Sequence, residues 1–143
     1  MPAACTANAG CVPPDVGPIE ELMAEIPRYT YALVYQTVTE IEDSYDFEGM
    51  IEVKKSSYPL SQKLRKVFDE AGITNVLHLG TGGCGLCEVC AKRTDEPCRY
   101  PKLAMPSLET YGINVSRLAP AVGMKYVNGV NTVTYFGAVL FSL

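Results

Sequence analysis

An α/β domain, with α+β as the alternative, is the fold class this sequence predicts, and three features carry it. Two stretches, "YTYALVYQTV" (29–38) and "ITNVLHL" (73–79), are rich in the β-branched and aromatic residues that strands favour. An amphipathic helical pattern lies between them, which suggests a right-handed β-α-β crossover onto a parallel pair. A long apolar run, "TVTYFGAVLF", then closes the chain as a further strand in a mixed sheet.

The first element is a helix. Pro18 stands at its start, Glu20 and Glu21 fill its first turn, and Ile19, Leu22, Met23 and Ile26 form one apolar face. The stretch 29–38 reads as a buried strand. Six carboxylates follow from Glu40 to Glu52, and Glu40, Glu42, Asp43, Asp46 and Glu48 read as a solvated loop, with an acidic docking patch as the sharper alternative. Ser57 then offers an N-cap, Leu60, Leu64, Val67 and Phe68 recur at helical spacing, and Gly72 supplies the stop. After the strand 73–79, "NVSRLAPAVG" reads as a short helix ending at Gly123. "MKYVNGVNTVTYFGAVLFSL" reads as a hairpin turning at Asn128-Gly129.

The 143 residues contain no repeat and no linker rich enough to divide them, so a single domain, 1–143, is expected. With 48% apolar and 20% charged residues the composition is that of a globular protein, and no apolar run reaches the ~20 residues of a membrane span. A net charge of −4 argues against nucleic acid as the partner. The N-terminal stretch has no basic residue before Arg28 and no long apolar core, so it does not read as a signal peptide, and a cytoplasmic location is expected.

Six cysteines are many for such a chain, and in a reducing compartment they point to metal or catalysis rather than to disulfides. Four of them, Cys84, Cys87, Cys90 and Cys98, lie in one loop, 80–101, with the spacing C-x2-C-x2-C-x7-C. The same loop contains Gly80-x-Gly82-x-x-Gly85, the pattern of a dinucleotide site. That reading fails on context. The third glycine leads into thiols rather than opening a helix, and no acidic residue stands about twenty positions on.

Three closely spaced thiolates with a fourth returning later resemble the cysteine run that holds a [4Fe–4S] cube. Glycines at 80, 82, 83 and 85 let the backbone fold around a bulky core, and Pro97 stiffens the return to Cys98. Zinc is the rival. Its tetrahedral all-cysteine sites usually come as two separated C-x2-C knuckles, whereas an even triplet suits a larger object. Charge does not separate the two, because Lys92, Arg93 and Arg99 would offset about −2 in either case. A thiol oxidoreductase is the third reading, weakened by two overlapping C-x2-C pairs with no clear helix behind them.

Cys5 and Cys11 lie on a proline-bearing segment as ligands of a second metal or as free thiols. His78, the only histidine, reads as a satisfied core residue, with a hydrogen bond to the cluster as the alternative. A single histidine excludes any zinc or Rieske-type centre needing two from this chain. Tyr100, Tyr111 and Tyr126 read as packing residues.

Over "CGLCEVCAKRTDEPCRYPKLAMPSLETYGINV", and also "CVPPDVGPIEEL", "YALVYQTVTEIEDSYDFEGM" and "GMKYVNGVNTVTYFGAVLF", the sequence resembles the uncharacterised family of predicted metal-binding proteins, domain of unknown function 2284. The cysteine run with Pro97-Cys98-Arg99 and Pro106-Ser107 is the specific part. The resemblance implies iron–sulfur or other metal binding at Cys84, Cys87, Cys90 and Cys98, and an association with anaerobic bacteria and archaea. It assigns no reaction. The expected protein is thus a [4Fe–4S] carrier or redox sensor serving a partner enzyme, with a structural zinc module and a thiol oxidoreductase as alternatives. A homo-oligomer is left open.

Overall fold

The computed structural model describes residues 18–43, 46–80, 91, 96–97, 99–100 and 105–143. Its elements run α1 (Ile19–Glu25), β1 (Tyr31–Glu40), α2 (Phe47–Ser56), α3 (Tyr58–Glu70), β2 (Val76–Leu79), α4 (Val115–Ala121) and β3 (Thr132–Phe141). Short 3-10 turns follow α1 at Ile26–Arg28 and precede α4 at Glu109–Tyr111. The α/β class therefore holds, as a three-stranded open sheet in the order β1-β3-β2.

The closing strand takes the centre. β3 pairs antiparallel with β1 over ten positions, Tyr31 with Phe141 through Glu40 with Thr132, and antiparallel with β2 over four, Val76 with Phe141 through Leu79 with Ala138. β1 and β2 consequently run in the same direction, as the helical crossover requires, but β3 separates them. The expected adjacent parallel pair does not form, because the most apolar strand occupies the slot that burial rewards most. Parallel pairing among the described residues is confined to one bridge, Gly80 with Ser107. The stretch 29–38, expected to be buried, forms an edge strand instead. Tyr31, Leu33 and Val38 are exposed.

Sheet register sorts the side chains onto two faces. Leu77, Leu79, Phe136, Ala138 and Leu140 point to one side, where Leu22 of α1, Leu108, Tyr111, Val115 and Ala119 complete the core. The other face carries Tyr35, His78, Gly137, Val139 and Phe141, and α3 packs there, with the Phe68 ring 4.9 Å from that of Phe141. Tyr135 Oη extends this layer by donating to the Met50 carbonyl of α2 at 2.8 Å.

Helix boundaries follow local chemistry. Asn114 caps α4, its side chain accepting from the Arg117 N–H at 3.3 Å. Gly72, at φ 75°, ends α3 in the left-handed region, and the Ile73 N–H closes back on the Phe68 carbonyl. Ser57 does stand at the start of α3, although its side chain makes no cap bond.

Two expectations are corrected. The acidic stretch is not a loop throughout, since α2 begins at Phe47. Asp46 starts it by accepting from the Gly49 N–H at 2.9 Å, and Glu48 sits in the first turn, where the helix dipole favours a carboxylate. The C-terminal hairpin does not form either. The chain turns at Val130-Asn131 rather than at Asn128-Gly129, with Asn131 at φ 54°, and the incoming arm is drawn away by α4, where the Met124 N–H donates to the Ala119 carbonyl. Tyr126 of that arm stacks on Phe136 instead of pairing with β3. Among the described residues no helix is long and apolar enough to cross a membrane.

Candidate metal centre

The cysteine-rich loop leaves the sheet at the end of β2. Gly80 extends that strand, and its N–H donates to the Pro106 carbonyl at 2.8 Å. Its own carbonyl accepts from the Leu108 N–H at 3.0 Å, so the chain departs and returns at one point. The return is itself braced. Ser107 is buried, and its hydroxyl accepts from the Thr110 N–H at 3.1 Å and contacts Thr110 Oγ1 at 2.8 Å. A Cβ on residue 80 would stand 3.1 Å from the Met105 methyl, a tight contact that glycine avoids.

Within the loop, two short described pieces touch. Ala91 is buried, and its carbonyl accepts from the Glu96 N–H at 3.1 Å. That bond joins two residues whose neighbours in sequence are Cys90 on one side and Pro97-Cys98 on the other. The proposed ligands Cys84, Cys87, Cys90 and Cys98 themselves lie outside the described residues, as do Cys5 and Cys11 of the suggested second site. Among the described residues no group of three histidine, cysteine, aspartate or glutamate side chains could hold a metal.

Directly before the loop, the structure assembles a polar cluster that sequence reading missed. His78 is 3% exposed, and its Nε2 lies 2.6 Å from Tyr35 Oη. The contact reaches across the sheet: Tyr35 stands on β1 and His78 on β2, with β3 between them. Gly137, opposite Tyr35, makes the crossing possible, because a methyl group there would overlap the tyrosine ring. Ser61 of α3 approaches Tyr35 Oη at 3.4 Å from above.

The short separation assigns the proton. It suits an O–H donor better than an N–H donor, and a phenol is the stronger acid of the two, so Tyr35 donates to Nε2. His78 then carries its remaining proton on Nδ1. That nitrogen is buried and has no hydrogen-bond partner among the described residues. Burial, aided by the nearby Arg65 guanidinium, lowers the His78 pKa to about 4 and keeps the ring neutral. Burial likewise raises the Tyr35 pKa, against the Ser61 hydrogen bond and Arg65, which lower it. His78 is thus a core histidine, satisfied by the described residues at one nitrogen only. The signal for the cluster was invisible in sequence, because it needs the three-strand register that brings residues 35, 137 and 78 into line.

Of the three tyrosines expected to pack, only Tyr111 is buried, while Tyr126, although it stacks on Phe136, is as exposed as Tyr100. Burial drives the Tyr111 pKa to about 12.

A helix-flanked three-stranded sheet, bridged between Gly80 and Ser107 on either side of the four-cysteine stretch, defines a small α/β protein. The chain belongs to the family described as predicted metal-binding protein (DUF2284), whose family model matches residues 5–141. No curated protein and no solved structure matches it.

Proposed function

We propose that the chain binds one [4Fe–4S] cluster through Cys84, Cys87, Cys90 and Cys98 and carries or senses electrons for a partner enzyme. The spacing of the four thiols is the observation that carries this reading, since an even C-x2-C-x2-C triplet wraps a polynuclear core more readily than one ion. The family's description as metal-binding supports the coarser half of it. So does the frame. Fixing both ends of the loop at Gly80 and Ser107 lowers the entropy lost when its ligands gather.

The residues present fit such a group in a further respect. His78 Nδ1–H is a buried donor with no acceptor among the described residues, two positions before Gly80, and cluster sulfurs accept such hydrogen bonds. The thiolates hold the irons, and Lys92, Arg93 and Arg99 offset the net negative charge. When bound, the cluster supplies a one-electron couple. With a cysteine for every iron corner, no position remains for a substrate, which favours electron transfer over Lewis-acid catalysis.

Anaerobic purification of the whole chain tests the proposal. A brown protein with about four irons and four sulfides per chain, whose visible absorption bleaches on reduction, is the expected result. A colourless protein carrying one zinc per chain would replace it with the structural module. A metal-free protein cycling between dithiol and disulfide would replace it with the oxidoreductase.

A further inference from the structure

We infer that the outer edge of β1 is the seam of a homodimer, in which two copies join antiparallel to form one continuous six-stranded sheet. β1 spends its inner edge on β3 over all ten residues, whereas its outer backbone groups find no partner among the described residues. Native sheets protect such edges with lysine, proline, bulges or short length. The segment "YALVYQTVT" (31–39) has none of these: no charge, no proline, no glycine, and a one-to-one register throughout. Ten residues span roughly 33 Å of open hydrogen-bonding edge.

The side chains along the edge need the same cover. Tyr31 and Leu33 are 50% and 43% exposed on the α3 side of the sheet, and Val38 is 44% exposed on the other. An added strand would pack against both faces at once, which a ligand lying on one face would not.

A second copy is the occupant that the chain itself matches. In an antiparallel pairing about Tyr35, Leu33 faces Thr37 of the second copy and Val38 faces Ala32, each pair on one side of the sheet. The only charge on the strand, Glu40, then falls at opposite ends of the seam, so the two carboxylates stay far apart. The opposite sheet edge offers nothing comparable. β2 has four residues, and its flanks are tied by Gly80 to Pro106 and Leu108 and by the Ser142 N–H to the Asn75 carbonyl. One long open edge per chain closes as a two-fold dimer rather than propagating as a filament.

Light scattering and analytical ultracentrifugation of the full chain across a hundredfold concentration range test this, with amide hydrogen exchange read along β1. Twice the chain mass, with outward β1 amides protected, is expected. Substituting Leu33→Lys and Val38→Lys together, at positions already exposed in the single chain, should raise the dimer dissociation constant at least tenfold and expose those amides, with metal content unchanged. A wild-type chain that stays monomeric, as it would if another part of the chain or a foreign peptide covered the edge, overturns the inference. So does a dimer that the double substitution leaves intact. Should the double variant not fold, fast exchange of the outward β1 amides in wild type overturns it alone. None of these readouts depends on which metal the loop holds.

Discussion

Tyr35 Oη and His78 Nε2 meet at 2.6 Å across a strand to which neither belongs. The phenol lies over Gly137 of β3, so one hydrogen bond ties the two outer strands of the sheet beneath α3. The pair thereby links the edge strand to the strand from which the cysteine loop departs. It is the only direct side-chain tie between β1 and β2 among the described residues.

The first prediction concerns the glycine beneath that bond. Gly137→Ala places a methyl group inside the Tyr35 ring and should destabilise the protein by about 1–3 kcal/mol, the usual cost of overpacking. In a Tyr35→Ala background the same change should cost much less, because the obstructing ring is gone. Urea titrations of the four proteins measure both numbers. Equal costs in the two backgrounds would mean that the ring does not lie over residue 137.

Tyr35→Phe keeps the ring and removes the donor. His78 Nε2, buried, then loses its partner, and a loss of about 1–3 kcal/mol is expected. Truncation alone is ambiguous, so the coupling is read from a double-mutant cycle with His78→Phe. A coupling energy below the roughly 0.5 kcal/mol noise of such cycles would deny the bond any role in stability.

Acid sensitivity follows from the same histidine. Its pKa falls from 6.5 in the unfolded chain to about 4 in the folded one, by burial first and Arg65 second. The unfolded state therefore takes up the proton first as the pH drops. The stability His78 contributes is complete above pH 6.5, declines between 6.5 and 4, and is flat below that. A shift of this size corresponds to about 3 kcal/mol in total. Denaturation midpoints at intervals from about pH 7 to about pH 4 should show the decline in wild type and a shallower slope in His78→Gln. Parallel slopes would refute the assignment.

Much of the fold was legible in the sequence where one local signal dominated. Pro18 and the acids behind it placed α1, Ser57 and Gly72 bracketed α3, and the stretch "NVSRLAPAVG" placed α4. Partnership between distant strands was not legible. Nothing local in "YTYALVYQTV" says that it will lie at an edge, or in "TVTYFGAVLF" that it will separate two others, because that choice is a competition for burial across the whole chain. Asp46 shows the same limit at short range. Five nearby carboxylates, Glu40 to Glu48, suggested a loop by composition, yet Asp46 caps a helix by accepting from the Gly49 N–H. At the site, spacing alone named the thiols and their loop, while His78, Tyr35 and Gly137 come together only through register.

That capping bond yields a fourth prediction. Asp46→Ala removes the acceptor for the Gly49 N–H and should cost about 1 kcal/mol, as lost N-caps do. Asp46→Asn retains an acceptor and should cost less. Fraying of the first turn of α2, seen as faster exchange of the Gly49 and Met50 amides, distinguishes a cap from a merely charged surface residue.

The last prediction separates the two groups of cysteines. Cys90, a proposed ligand, adjoins Ala91, which is buried and accepts from the Glu96 N–H. Cys90→Ser replaces a thiolate by a hydroxyl that is a far weaker ligand for iron or zinc, and most of the bound metal should be lost. Cys5 and Cys11 are two thiols, too few to close a four-ligand site within one chain, so Cys5→Ser should leave metal content nearly unchanged. Metal and sulfide per chain, measured on the wild type and both variants prepared without oxygen, give the comparison. Circular dichroism on the same samples shows whether the sheet survives the loss, as it should if the core of Leu77, Leu79, Leu108 and Tyr111 stands independently of the loop. Equal metal loss from Cys5→Ser and Cys90→Ser would place the N-terminal thiols in the same centre as the loop, and the four-cysteine assignment would fall.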